Sequence, residues 1–122
     1  MTNTHITIGG HKVTTNKVGQ VHTATKATGV TGTITWCVTN GICNLYWYNI
    51  ETPSTGTDQL LTSDIPTPKI SSPILSTPVS SMSGATFVGC CYVSSSGLYA
   101  NKRQSSDFIG TISYPVADDW SE

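Results

Sequence analysis

The sequence has few charged residues. Asp, Glu, Lys and Arg make up 11% of its 122 residues, against about 25% in typical soluble domains. Six of them are Lys or Arg, whereas phosphate binding requires clustered cations, so we expect no nucleic-acid partner. Polarity comes from hydroxyl groups instead, because Thr and Ser supply 35 residues. Such a surface suits contacts between subunits or with neutral ligands.

The chain also lacks long apolar runs. Its first residues, Met-Thr-Asn-Thr-His, have no apolar segment of the kind found in signal peptides. No stretch approaches the roughly 20 apolar residues of a transmembrane helix. We therefore expect neither a signal peptide nor a transmembrane segment, and we predict virion or extracellular assembly after leaderless synthesis. A single domain of 122 residues is expected.

Motifs for catalysis and cofactor binding are missing too. There is no Gly-x-Ser-x-Gly elbow, no glycine-rich phosphate loop followed by a helix, and no Cys-x₂-Cys spacing for zinc. His5, His11 and His22 could form a metal site only if three strands brought them together, so we interpret them as exposed or hydroxyl-bonded. The prediction is a non-enzymatic protein without cofactor or metal.

Four cysteines occur, two in one predicted hairpin and two adjacent to each other. Buried free thiols are the default interpretation for a chain without a leader. The alternative is a cross-strand disulfide between Cys37 and Cys43, which depends on the pairing of that hairpin.

No segment combines a 3.6-residue apolar period with helix caps, so the chain is predicted to be all-β. Short alternating or apolar segments separated by Gly, Asn and Ser turns indicate about eight short antiparallel strands. A single-domain β-sandwich and a small barrel both fit this pattern. The predicted strands lie at residues 4–8, 11–15, 20–25, 32–39, 42–50, 58–62, 85–93, 98–100 and 108–114.

The central feature is Gly32–Ile50, which predicts a β-hairpin. If Asn40-Gly41 forms a two-residue turn, residue 38 pairs with 43 and the aromatic residues sort onto two faces. A three-residue loop would instead pair Cys37 with Cys43. We favour the first register, which gives a core face of Ile34, Trp36, Val38, Cys43, Leu45 and Trp47.

The first hairpin is predicted from Gly9-Gly10. A two-residue turn there pairs residue 8 with 11 and Ile6 with Val13. It leaves His5 opposite residue 14, so His5 and His11 are not direct partners.

Residues 65–79 contain four prolines among Ser, Thr and apolar side chains. Proline at this density is expected to exclude both a helix and a central strand. The apolar residues are too frequent for a free linker. We predict an extended arm whose side chains fill grooves on the domain or on a neighbouring subunit, namely Ile65, Ile70, Ile74 and Leu75.

Charge is unevenly distributed along the chain. Residues 1–50 carry three lysines and no acid, whereas residues 104–122 carry four acids and no base. The predicted acidic tail, residues 115–122, has one apolar anchor in Trp120. The pattern is either solvated charge without a role or complementarity between the tail and the lysine-bearing half, within one chain or between copies.

On the favoured register, Tyr46 and Tyr48 project from the face opposite the core, beside Ile42. Paired tyrosines among hydroxyls and amides suit a protein interface or a platform for a neutral sugar. The alternative is that a second sheet covers this face and makes both tyrosines part of the core.

Several short motifs are shared with one family. Thr31-Gly32-Thr33, Tyr46-Trp47, Pro53, Gly56 and Gly110-Thr111-Ile112 together resemble aegerolysins, which are leaderless lipid-binding β-sandwich proteins. The resemblance covers about a quarter of the chain, and Tyr48 stands where the family has Asp. It implies a lipid-binding β-sandwich.

The leading functional prediction is a non-enzymatic structural subunit that works by self-association or by binding other structural subunits. Its most concrete forms are a phage decoration, capsid or tail component, or a fibre subunit. The alternative is a soluble module that binds a neutral glycan or a membrane lipid through its aromatic residues.

Overall fold

The structure is a computed structural model, and it describes residues 5–8, 11–14, 19–53, 58–70, 75–84, 86–104 and 106–120. These residues contain ten strands and no helix. The part of the chain described therefore contains no helix that could cross a membrane. The strands are β1 (His5–Ile8), β2 (His11–Thr14), β3 (His22–Thr23), β4 (Thr31–Thr39), β5 (Ile42–Glu51), β6 (Asp58–Thr62), β7 (Leu75–Ser81), β8 (Phe87–Ser94), β9 (Gly97–Lys102) and β10 (Phe108–Pro115).

Eight of these strands form one antiparallel sheet in the order β3-β4-β5-β10-β7-β8-β9-β6. The sheet curls into a half-barrel, so the all-β fold predicted from the sequence is confirmed. Its two ends approach each other, because the segment after β3 bonds to β6. The Ala27 amide donates to the Leu61 carbonyl over 2.8 Å, and the Thr62 hydroxyl donates to the Thr25 carbonyl over 2.5 Å. We call this contact the seam.

The central hairpin has the favoured register. Val38 pairs with Cys43, Trp36 with Leu45 and Ile34 with Trp47. The turn residues have the positive φ angles that a type I′ turn requires, 52° at Asn40 and 77° at Gly41. Alternation along β5 buries every second residue, because successive side chains point to opposite sides of a sheet.

The core lies on the concave side of the sheet. Its largest fully buried side chains are Trp47, Tyr114, Phe108, Ile34, Leu45 and Ile50. The Tyr114 hydroxyl donates to the Pro66 carbonyl over 2.7 Å, so the buried phenol has the polar partner that burial requires.

The first hairpin also pairs as predicted. β1 and β2 form a separate two-stranded sheet in which Ile8 pairs with His11 and Ile6 with Val13. His5 pairs with Thr14, so the two histidines are not opposite each other.

The proline-rich segment differs from the prediction. Leu75–Ser81 is an interior strand of the sheet, so the expectation that its prolines exclude a central strand is wrong for this part. Pro78 pairs with Cys90 of β8, whereas the described pairing of β7 with β10 involves Ser80 and Ser81. Pro78 therefore lies where β7 has a partner on one side, the position at which a missing N–H is tolerated.

The first part of that segment follows the end of β10. Pro68 forms a β-bridge with Val116, and the Lys69 amide donates to the Pro115 carbonyl over 2.8 Å. The Ala117 amide in turn donates to the Thr67 carbonyl over 2.8 Å. Residues 66–69 and 115–117 thus hold each other in place.

Candidate binding cleft and tyrosine face

Three adjacent strands, β4, β5 and β10, present an outer face made of hydroxyl, amide, aromatic and aliphatic groups. Thr35 and Thr111 flank Tyr46 on its two neighbouring strands, and Thr33 pairs with Tyr48. We call this surface the tyrosine face. Its members are Thr33, Thr35, Thr39, Ile42, Asn44, Tyr46, Tyr48, Thr111 and Ser113.

Tyr46 and Tyr48 lie side by side on this face. Their ring centroids are 5.4 Å apart at an interplanar angle of 41°, and Tyr46 is 43% exposed. The Ser113 hydroxyl donates to Asn44 Oδ1 over 2.8 Å, and the Thr111 hydroxyl donates to the Leu45 carbonyl over 2.9 Å. These bonds order the polar groups around the rings, and no second sheet of the described residues covers Tyr46.

The other residues predicted for an interface do not join this face. Ile65 and Trp120 pack against the core from the concave side, and Ile70 is 44% exposed at the end of the described part of the proline-rich segment. Leu75 pairs with Val93 in the sheet. Ile74 lies outside the described residues.

A concave site lies at one end of the curled sheet, where the β4–β5 turn meets the segment after β10. The cleft has a volume of about 550 Å³, within the range of small-ligand sites. We call it the turn cleft. Its lining includes apolar, aromatic, amide and charged side chains, among them Val38, Asn40, Ile42, Lys69, Asp118 and Trp120.

Backbone hydrogen bonds fix the walls of the turn cleft. The Val116 amide donates to the Gly41 carbonyl over 3.0 Å, which ties the segment after β10 to the hairpin turn. The Trp120 amide donates to the Ala117 carbonyl over 3.0 Å, which closes a turn and directs the indole toward the core. At the mouth, Lys69 Nζ lies 3.0 Å from Asp118 Oδ1, and both side chains are exposed.

This ion pair bears on the predicted charge complementarity. Asp118 of the acidic tail pairs with Lys69 of the proline-rich segment, not with a lysine of residues 1–50. Lys17 lies outside the described residues and Lys12 is described by its backbone alone. Complementarity between the tail and the first half of the chain stays a prediction.

An aromatic group beside the turn cleft was not predicted. His22 stacks on Trp36 with centroids 4.1 Å apart, and Trp120 meets Trp36 edge to face at 6.1 Å. The Trp36 indole N–H donates to the Asp64 carbonyl over 3.0 Å. These residues are far apart in sequence, so the alternation of β4 placed Trp36 on the inner face without indicating its partners.

A second tyrosine pair also escaped prediction. Tyr92 and Tyr99 are cross-strand partners with parallel rings 5.2 Å apart. Asp58 accepts hydrogen bonds from the Tyr92 hydroxyl over 2.9 Å and from the Asn101 amide over 2.8 Å. Desolvation, followed by the hydrogen bond to Asp58, raises the pKa of Tyr92 to about 12. This carboxylate is thus already occupied by neighbouring side chains.

All four cysteines are free. Cys37 pairs with Asn44, so it lies one position away from the register that a bond to Cys43 would need. Burial raises the pKa of Cys43 to about 11, and burial likewise raises the pKa of Cys91. Both thiols are therefore protonated at neutral pH, which makes them poor nucleophiles. The described residues contain no group of three or more His, Cys, Asp or Glu side chains placed to hold a metal ion.

These features define a curled antiparallel β-domain with an open cleft at one end and an aromatic outer face. No protein-family profile matches the chain, and no curated protein sequence matches it. The aegerolysin motifs therefore stay a resemblance.

Among solved structures, the chain is similar to the head domain of phage bIL170, described in connection with a common fold for receptor-binding domains of lactococcal phages. The TM-score is 0.64 at 15% sequence identity, and the match covers 80% of this chain and 98% of that one. At this identity the likeness establishes the fold.

Proposed function

We propose that this protein is a non-enzymatic structural and binding subunit of a phage virion, in the tail or fibre, where it attaches the particle to its target. The similarity to the phage head domain carries the proposal, since it spans nearly the whole of that domain. A head domain of this kind is both a structural part of the particle and a binding module. The two roles predicted from the sequence can therefore belong to one protein.

The surface chemistry supports the assembly role. The tyrosine face combines exposed aromatic rings with hydroxyls and has no ionised group among its members, and interface centres are depleted in charge and enriched in Tyr. In this proposal, neighbouring subunits bury Tyr46, Tyr48 and Ile42. The turn cleft is on a different part of the sheet and remains open for a ligand.

The proposal is tested on the particles themselves. Antibodies raised against the purified chain are applied, with immunogold detection, to particles released from cells that carry the gene. We expect gold at the tail or fibre of the virions. Gold absent from the particles, or a failure to release particles at all, contradicts the proposal. Pre-immune serum is the control.

A second candidate is a soluble binding module that acts outside a virion. The observation that favours it is the open turn cleft, which no described residue fills. Such a module should bind a glycan array or liposomes as a monomer and should be absent from released particles. Light scattering during size-exclusion chromatography, combined with the immunogold result, separates the two candidates.

A further inference from the structure

We infer that the turn cleft is a saccharide site that holds one hexopyranose unit against Trp120, with Lys69 and Asp118 as its hydrogen-bonding pair. The inference rests on the proposed function, because it names the ligand class that the attachment domain would recognise. It assigns this role to the cleft and not to the tyrosine face.

The shape and lining of the cleft lead to this ligand class. A pyranose ring has an apolar face of C–H groups and an equatorial rim of hydroxyls. The turn cleft offers both complements, because Val38, Ile42 and Trp120 are apolar while Asn40, Lys69 and Asp118 are polar. A wholly apolar ligand would leave these polar groups without partners, which is unfavourable.

The charged pair suits adjacent hydroxyls. Lys69 Nζ and Asp118 Oδ1 are 3.0 Å apart, so two neighbouring hydroxyls of one ring can accept from the ammonium and donate to the carboxylate. The pair is solvent-exposed, with 55% of the Lys69 side chain and 84% of the Asp118 side chain accessible. An exposed pair stabilises a fold little, so a ligand can replace part of it at small cost.

The walls are held before any ligand arrives. The hydrogen bonds from Val116 to Gly41 and from Lys69 to Pro115 join three segments around the cleft. Trp120 is supported by Trp36 through an edge-to-face contact at 6.1 Å. A site that is already ordered loses less conformational entropy on binding.

The experiment titrates the ¹⁵N-labelled full chain with four free sugars: D-glucose, D-galactose, N-acetylglucosamine and L-rhamnose. Each is added to roughly 50 mM, above the millimolar Kd expected for a single ring. We expect at least one sugar to shift the Trp120 indole resonance and the Ala117 amide resonance in a saturable manner. Glycerol, which has adjacent hydroxyls but no ring, should produce no saturable shift.

Two variants locate the site. Asp118→Ala removes a charge-assisted hydrogen bond and should weaken sugar binding about tenfold. The matched control is Asp119→Ala, which changes the next residue, also an exposed acid, outside the cleft lining and should leave the Kd unchanged. Trp120→Ala should abolish binding, and if that variant does not fold, the Asp118 pair still decides.

Three results would overturn the inference: no shift with any of the four sugars, shifts that map to Tyr46 and Tyr48, or equal effects of the two aspartate variants. The particle-labelling experiment separates this failure from that of the proposed function. Gold on virions without a sugar response at the cleft rejects the saccharide site alone. Absent gold rejects the virion role, whatever the titration shows.

Discussion

Trp47 is the largest fully buried side chain, and it packs against a strand position that has no side chain. Gly110 of β10 pairs with Trp47, and a Cβ built at Gly110 would lie 2.6 Å from indole Cζ2. That separation is far below van der Waals contact. Because the indole has no exposed surface toward which to move, the fit between these two residues is steric and not conformational.

Gly110→Ala should therefore destabilise the fold by about 1–3 kcal/mol, the usual cost of overpacking a filled core. Urea denaturation followed by tryptophan fluorescence measures the free energy of unfolding. Ser76→Ala, on the exposed surface of β7, is the control and should change it by less than about 0.5 kcal/mol. A neutral Gly110→Ala would mean that the indole does not fill this space.

At the scale of elements, the hairpins were predictable because their signals are local. Asn40-Gly41 supplies two residues that tolerate positive φ, and the alternation of β4 and β5 then fixes which side chains are buried. β7 was not predictable in the same way. Proline density argues against a strand, and the tolerance at Pro78 depends on where β10 stops pairing with β7, which is a property of distant residues.

The turn makes a specific prediction about this hairpin. Gly41 has φ 77° and open space around its Cα, so a side chain there meets backbone strain and no clash. Gly41→Ala should cost about 1–2 kcal/mol of unfolding free energy. Gly41→Asn should cost less, since Asn tolerates this conformation better than Ala. Urea denaturation of both variants gives the comparison, and equal losses would contradict a type I′ turn.

At the scale of the whole molecule, the sequence predicted an all-β domain but not how the sheet closes. The seam joins Thr25 and Ala27 to β6, and the Thr25 amide also donates to Asp64 Oδ2 over 2.9 Å. The aromatic group of His22, Trp36 and Trp120 beside the turn cleft depends on the same curling. Contacts between residues this far apart leave no periodic signal in the chain, so the cleft was missed while the tyrosine face was placed correctly.

The proposed assembly also belongs to this scale, and the tyrosine face provides its test. If subunits bury Tyr46 and Tyr48 against one another, Tyr46→Lys places a charge in an interface without a charged partner, and burying an unpaired charge is strongly unfavourable. We expect light scattering during size-exclusion chromatography to show an oligomer for the unmodified chain and a monomer for this variant.

The structure provides a matched control for that substitution. Tyr99→Lys changes a tyrosine of the second stacked pair, on β9, far from β5 in the order of the sheet, and it should leave the oligomer intact. Because the tyrosine face contains no ionised side chain, raising the salt concentration should not dissociate the oligomer either, since screening weakens only charged contacts. An unmodified chain that is monomeric at high concentration would exclude self-association. Dissociation by Tyr99→Lys but not by Tyr46→Lys would move the interface to the other side of the sheet.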